Sequence, residues 1–486
     1  MTADAELKPV WQNHIAGEWR DGPDGARIPV ENPATGERLA DIARATPEVV
    51  DQAVQAARAC TDSRVLQDMH PAERARVVTD IGRVLRRRRE EIARVVCLDS
   101  GKSLSLARGE VDGAARYFEY YGGLADKIEG RYIPLGNGYV DYTIPVPYGV
   151  SAHIVPWNFP LEMAARSLAP ALAAGNACVI KSPEQDPLAV TFIAEACAEL
   201  GVPTGAVNIV CGYGEDAGAA LSAHPDVNQI VFTGSVETGQ AIMRAAADTV
   251  VPTVMELGGK SAGIVFPDAD LDNLTTSTSW GITMNSGQVC NAMSRLLVPR
   301  QIRDEVIDRI KAMSEGLSIG PGIEDNGVTP LISGEHLAEV EGHCLSAAQQ
   351  GAREVTGGRR LADRAGHFMP PTVYADVDPE MRIAQEEVFG PVLSVMTYNE
   401  PDEAIRIANG TKYGLAAGVF TGDLDRATWA AERLVAGQVY VNDWYVGGVE
   451  TPFGGMGKSG FGREKGQEAL ANYYQSKNVG MRRLAS

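Results

Sequence analysis

Cysteine is scarce in this chain: seven in 486 residues, scattered from Cys60 to Cys344 with no CxxC pair. An odd, dispersed set suits a reducing compartment better than a disulfide framework. Histidine is equally sparse, with no His/Cys cluster at zinc spacing, so no metal site is expected. Basic residues fall short of acidic ones, 44 against 63, for a formal charge of −19. That balance argues against a broad phosphate-binding surface, and nucleic acid is not an expected partner. No apolar run reaches bilayer length, so no membrane span is expected. The opening MTADAELKPVWQNH lacks the basic-then-apolar pattern of a secretory signal. These absences leave a soluble, cytoplasmic protein, long enough for two or three lobes.

What is present is globular in character, 44% hydrophobic and 22% charged. Between Tyr148 and Gly259 short apolar runs alternate with helical ones. GVSAHIVPW, NACVIKSP, AVNIVCG, NQIVFTG and VPTVMELGG read as strands. The helix PLEMAARSLAPALAAG ends at Gly175, and PLAVTFIAEACAELG starts at Pro187 and stops at Gly201. Five strands alternating with helices imply a parallel sheet covered on both faces, with ligands beyond the carboxyl ends of its strands. The first third reads as mostly helical, with one amphipathic helix over PAERARVVTDIGRVLRRRREEIARVV. Its Arg86–Arg89 run, followed by Glu90 and Glu91, is a salt-bridged face rather than a nucleic-acid patch. From Ser261 a second α/β pattern begins, with strands SAGIVF, HFMPPTVYADV, PVLSVMTY, AAGVFTG and GQVYVND. Residues 131–149 alternate apolar and polar like a projecting edge ribbon, and the tail LANYYQSKNVGMRRL suits pairing with such a ribbon of a neighbouring subunit.

Five groups could carry chemistry. Cys290 lies in NSGQVCNAMSR, where small and polar neighbours leave a sulfur reachable as a nucleophile. The other six cysteines sit in apolar context and read as small buried hydrophobes. Glu256 ends the apolar strand of VMELGGKS, where burial raises a carboxyl into the range of a general base; a plain strand-end surface glutamate is the alternative. Asn158, in PWNFP, offers a rigid amide donor for an oxyanion, or only a turn-stabilising side chain. Lys181 and Glu184 follow the second strand, within reach of a ribose, and Gly234–Gly239 joins a strand to a helix N-terminus suited to pyrophosphate. Glu387 and Phe389, in EEVFGPV, precede a Gly-Pro turn and project into a cleft, unless they merely run a helix into a strand.

Taken together these segments resemble the aldehyde dehydrogenase superfamily. PWNFP at 156, KSPE at 181, FTGS at 232, MELGGKS at 255, GQVC at 287, EEVFGPV at 386 and PFGGMGKSGFGRE at 452 follow that family's order and approximate spacing. The resemblance spans almost the whole chain, from ENPATGE at 31 to the tail. It implies an α/β fold of two Rossmann-like parallel-sheet lobes plus a small β oligomerisation ribbon, in dimers or tetramers. The implied division is 1–124 and 145–257 for the NAD-binding domain, 258–453 for the catalytic domain, and 125–144 and 468–486 for oligomerisation. It also implies that Cys290 adds to an aldehyde to give a thiohemiacetal, held by Asn158 and the Cys290 N–H. Oxidation to a thioester follows, and Glu256 activates the water that releases the carboxylic acid. Val155, Trp157, Lys181, Glu184, Gly214, Gly234, Ser235, Leu257, Glu387 and Phe389 match cofactor contacts. Glu184 repels a 2′-phosphate, which favours NAD over NADP. Glu464 matches a carboxylate that relays protons in some members.

The same resemblance lines the aldehyde pocket with Phe159, Glu162, Met163, Arg166 and Met284, and with Val289, Asn291, Tyr445 and Phe453. Arginine at position 166 occurs in members that oxidise carboxylate-bearing semialdehydes; the alternative is a salt bridge to Glu162, four residues earlier. Succinate-type enzymes carry a second basic residue where this chain has Met284. A larger aromatic aldehyde or semialdehyde therefore fits Met284, Trp444 and Tyr445 at least as well. Two rivals stand beside this reading. A CoA-acylating enzyme lacks the glutamate base that Glu256 supplies, and a non-catalytic structural homologue would have lost the nucleophile.

Overall fold

The computed structural model describes residues 7–483. The five runs rich in Val, Ile and Ala form strands Val150–Ile154, Ala177–Ser182, Val207–Cys211, Gln229–Thr233 and Thr253–Glu256, nearly all of whose residues are buried. Near-continuous burial is what a parallel sheet covered on both faces demands. In space they lie side by side, all parallel, in the order Val207–Cys211, Ala177–Ser182, Val150–Ile154, Gln229–Thr233, Thr253–Glu256. The chain thus winds to one side of Val150–Ile154 and then to the other. That reversal opens a crevice at the carboxyl ends of Val150–Ile154 and Gln229–Thr233. Short antiparallel strands close both edges of the sheet.

The helix Pro160–Ala174 leaves this crevice. It begins with Pro160, whose missing N–H costs nothing at a helix start, and ends at Gly175 in a left-handed turn (φ 95°). The second helix starts at Thr191 rather than Pro187, because Leu188–Val190 form tight turns first. The long basic helix is two, Pro71–Arg87 and Arg89–Ser100, broken at Arg88 (φ −97°, ψ 16°). Arg86, Arg87, Arg88 and Arg89 all pair with carboxylates. The first third is less helical than its pattern suggested: residues 10–43 hold five strands of two to seven residues, too short for their periodicity to register.

The second sheet runs Arg353–Thr356, Thr372–Ala375, Val392–Tyr398, Arg295–Pro299, Ala262–Val265, Ala416–Phe420, Gln438–Val441, parallel except for the first. Its strand Arg295–Pro299 was not evident from the pattern, yet it sits centrally. In the tail, Tyr474–Arg482 pairs antiparallel with Tyr139–Pro147 of the same chain, in a three-stranded ribbon with Tyr132–Ile133. Tail residues 484–486, like 1–6, lie outside the described residues. No helix among the described residues is long and apolar enough to cross a membrane.

Candidate active site

Thr253–Glu256 ends one sheet and Ala262–Val265 begins the other, so residues 257–261 cross between the lobes. A cavity of about 560 Å³ lies at this crossing. It reaches from the exits of the first-sheet strands (Trp157, Gly234) to second-lobe loops (Cys290, Glu387, Tyr445).

Cys290 is half-buried, while the other six cysteines are buried. The chain approaches it through three successive left-handed residues, Asn285 (φ 48°), Ser286 (φ 53°) and Gly287 (φ 76°). Ser286 costs about 1–2 kcal/mol in this conformation, which Asn285 and Gly287 tolerate better, so the loop must be held. The Ser286 hydroxyl donates to Thr329 O at 2.6 Å, and Gln288 Oε1 accepts from Ile332 N at 2.9 Å. A side chain at Gly287 would lie 2.1 Å from Gly390 O, so only glycine fits. This strain sits beside the sulfur, where a fixed geometry serves chemistry. Burial pushes the Cys290 thiol up to about 12, against the pull of nearby Arg166.

Asn158 faces the same loop, its Nδ2 donating to Gln288 O at 3.0 Å. Its own carbonyl accepts from Lys102 Nζ at 2.8 Å and Asn285 Nδ2 at 3.0 Å. Lys102 is fully buried with Glu110 as its ion-pair partner, and Glu110 Oε1 accepts from Leu161 N (3.0 Å) and Glu162 N (3.3 Å). This lock ties the Asn158 turn to the helix Leu104–Gly122. Lys102 and Glu110 carried no sequence signal: eight residues apart, they read as two ordinary surface charges.

Glu256 is buried with no hydrogen-bond partner on either oxygen among the described residues. Its nearest cation is Arg166, 3.7 Å away. Burial raises its pKa well above the usual carboxylate range, and Arg166 opposes that rise. Arg166 also pairs with Glu464, and its guanidinium stacks 4.4 Å from the Phe453 ring centroid. The alternative pairing of Arg166 with Glu162 is not formed: Glu162 has no cation within 4 Å among the described residues, because the guanidinium turns to Glu464 and Glu256 instead.

At the other end, Glu387 Oε1 accepts from Gly259 N at 3.0 Å, and burial pushes its carboxyl up to about 7. Trp157 and Phe389 meet edge-to-face at 5.2 Å, and His336 bonds the Phe389 carbonyl at 2.8 Å. Ser235 caps the helix Val236–Thr249 through Thr238 N, at 3.1 Å.

The cavity gathers Cys290, Glu256 and Asn158; the cofactor candidates Trp157, Gly234, Ser235, Leu257, Glu387 and Phe389; and all nine pocket candidates, from Phe159 to Phe453. Val155, Lys181, Glu184 and Gly214 do not line it. Val155, Glu184 and Gly214 follow the carboxyl ends of the first three parallel strands, whereas Lys181 lies within Ala177–Ser182 rather than after it. Its Nζ meets Glu184 Oε2 at 2.7 Å, and Val155 N meets Lys181 O at 3.1 Å. Trp444 also stands outside; it is buried behind the wall, its indole N–H bonding Asn291 O at 3.0 Å. Lys465, unsuspected from sequence, does line the cavity.

The aldehyde dehydrogenase family model matches residues 19–479. An aldehyde dehydrogenase of Aspergillus niger is 40% identical over 96% of this chain and 94% of its own. The NAD+ complex of a Bacillus cereus aldehyde dehydrogenase superposes with a TM-score of 0.96 at 37% identity, covering 98% of this chain and 99% of that one. The structure of an indole-3-acetaldehyde dehydrogenase complexed with NAD+ likewise gives 0.96 at 37% identity, over 98% and 96% of the two chains. A half-buried cysteine, a buried unpartnered glutamate and a locked asparagine thus share one cavity within this fold, and the chain belongs to the aldehyde dehydrogenase family.

Proposed function

We propose that the protein oxidises an aldehyde to the carboxylic acid with NAD, through a covalent intermediate on Cys290. One observation carries this reading: Cys290, Glu256 and Asn158 converge on a single cavity that extends to the strand-to-helix turn at Gly234. The residues present fit the cofactor. Backbone N–H groups at the start of Val236–Thr249 suit a pyrophosphate, Glu387 suits a ribose hydroxyl, and the Trp157–Phe389 pair borders the flat ring. When bound, NAD supplies the hydride acceptor.

Cys290 adds to the aldehyde carbon, giving a thiohemiacetal whose oxyanion meets the Asn158 amide and the Cys290 N–H. After oxidation the sulfur carries a thioester. Glu256 takes a proton from water, which attacks the thioester carbonyl and expels the sulfur as the acid leaves. Arg166 holds charge beside that base, and Glu464 on its far side gives the proton a second carboxylate. Because Lys102 and Asn285 already fix Asn158, the oxyanion donor is preorganised. Asn158→Ala is expected to cost about 3–4 kcal/mol of barrier, read as a loss of kcat with NAD affinity retained.

Glu184 beside Lys181 favours NAD over NADP by repelling a 2′-phosphate. Glu184→Ser should narrow the NAD/NADP ratio of kcat/KM about tenfold, about 1.4 kcal/mol. The domain division follows from the same reading: a cofactor lobe of 1–124 and 145–257, a catalytic lobe of 258–453 and a ribbon of 125–144 with 468–486. The ribbon's exposed Tyr132, Tyr139 and Ile144 suit assembly into a homodimer or homotetramer, in the cytoplasm. The direct test is stoichiometry. One NADH and one carboxylic acid should form per aldehyde without CoA, whereas strict dependence on CoA would favour the acylating alternative.

A further inference from the structure

Most charges along the cavity wall are spent on one another. Glu110 holds Lys102, Arg166 serves Glu256 and Glu464, and Glu387 accepts from Gly259 N. Lys465 is different. It lines the cavity yet makes no ion pair and no side-chain hydrogen bond among the described residues; its ammonium lies 5.7 Å from the Phe453 ring centroid. Its backbone is left-handed (φ 62°), a conformation side chains avoid unless the neighbours impose it. Here they do: Glu464 exchanges backbone hydrogen bonds with Phe453 at 2.6 and 2.7 Å, and Gly466 N bonds Val449 O at 2.7 Å. The fold thus spends backbone strain to hold a free cation in the wall of the reaction cavity.

Resting on the proposed aldehyde oxidation, we infer that Lys465 selects substrate: it receives a carboxylate at the far end of an aldehyde whose carbonyl lies at Cys290. Arg166 is poorly placed for this task, because two carboxylates already share its charge. It still adds positive potential, since it and Lys465 flank one Phe453 ring. Burial and Arg166 push the Lys465 ammonium down to about 8, so it stays mainly protonated at neutral pH. Glu162, also on the wall, has no ion pair among the described residues; it is packed against the helix Leu104–Gly122, where a Cβ at Gly113 would come within 3.1 Å of it. Burial, with Glu110 adding to it, pushes Glu162 up to about 7. An entering anion therefore finds a carboxyl that readily takes a proton and becomes a donor. An entering ammonium would instead have to displace the proton of Lys465.

Aldehydes of equal length ending in a carboxylate, its methyl ester or an amine discriminate these cases, compared by kcat/KM in wild type, Lys465→Met and Lys465→Arg. Wild type should prefer the carboxylate over the ester about tenfold or more, the scale of one charge-assisted hydrogen bond. Lys465→Met should erase most of that ratio, chiefly through KM, and Lys465→Arg should retain it. Inhibition of wild type supplies an arm free of folding defects: the dicarboxylic product should bind about tenfold tighter than its mono-ester. A carboxylate/ester ratio untouched by Lys465→Met, a wild-type preference for the amine, or equal inhibition by the two products overturns the assignment and leaves aldehyde oxidation standing. Failure to oxidise any of the three aldehydes overturns both.

Discussion

Cys290→Ala abolishes aldehyde-dependent NADH formation, by on the order of 10⁴-fold or more, the scale seen when a covalent enzyme loses its nucleophile. NAD binding, read by fluorescence quenching, stays within about twofold of wild type, since no cofactor candidate depends on the sulfur. Cys290 is the half-buried cysteine of the seven, and its loop is held in a left-handed run beside the Asn158 amide. The remaining six are buried, and none of them lines the cavity. Wild-type inactivation by a thiol alkylator should be slow near pH 7 without cofactor and accelerate as pH rises, because the thiol is pushed up to about 12. A Cys290→Ala enzyme with appreciable turnover would remove the covalent route.

Glu256→Gln separates the two halves of the reaction. The first NADH should appear as a burst of about one equivalent per active site, after which turnover slows about 10²–10⁴-fold, the usual worth of a general base. Glutamine keeps the volume and can still meet Arg166, but it cannot take the water proton. The pH dependence has a definite sign. Burial holds Glu256 above the ordinary carboxylate range, so its base form grows as pH rises through that elevated pKa. Wild-type kcat should therefore rise with pH on its acid limb, and Glu256→Gln should flatten that limb. Loss of the burst itself would assign Glu256 to the first half-reaction instead.

Much of this site was legible along the chain because it is built from strand exits and tight turns. Glu256 ends a buried apolar strand and Asn158 and Gly234 follow two others, and a parallel sheet delivers all such exits to one edge. Cys290 and Glu387 announced themselves through Gly, Pro and polar neighbours at turns. The supporting charges did not, since a buried ion pair leaves no local pattern. Lys102, in the loop after Ser100, meets Glu110 only once the helix Leu104–Gly122 packs on the Asn158 turn. Arg166 lies four residues from Glu162 on one helix, so the sequence offers only Glu162 or a substrate carboxylate as its partner; the tertiary fold supplies Glu464 and Glu256 from distant segments. The strand Arg295–Pro299 was hidden for a related reason. It is short, uniformly apolar at its centre and flanked by Arg and Pro, so it carries no alternation to read. The tail pairs with the ribbon at 139–147 of the same chain, a long-range match that alternation along either strand does not by itself specify.

The central claim reduces to which atom carries the acyl group. Glu256→Gln enzyme mixed with NAD and an aldehyde, quenched in acid and digested, should yield an acylated peptide spanning Cys290, with the mass of the acyl group and near-unit occupancy. An unmodified Cys290 peptide after a full burst of NADH, or acylation on any of the other six cysteines, would contradict it.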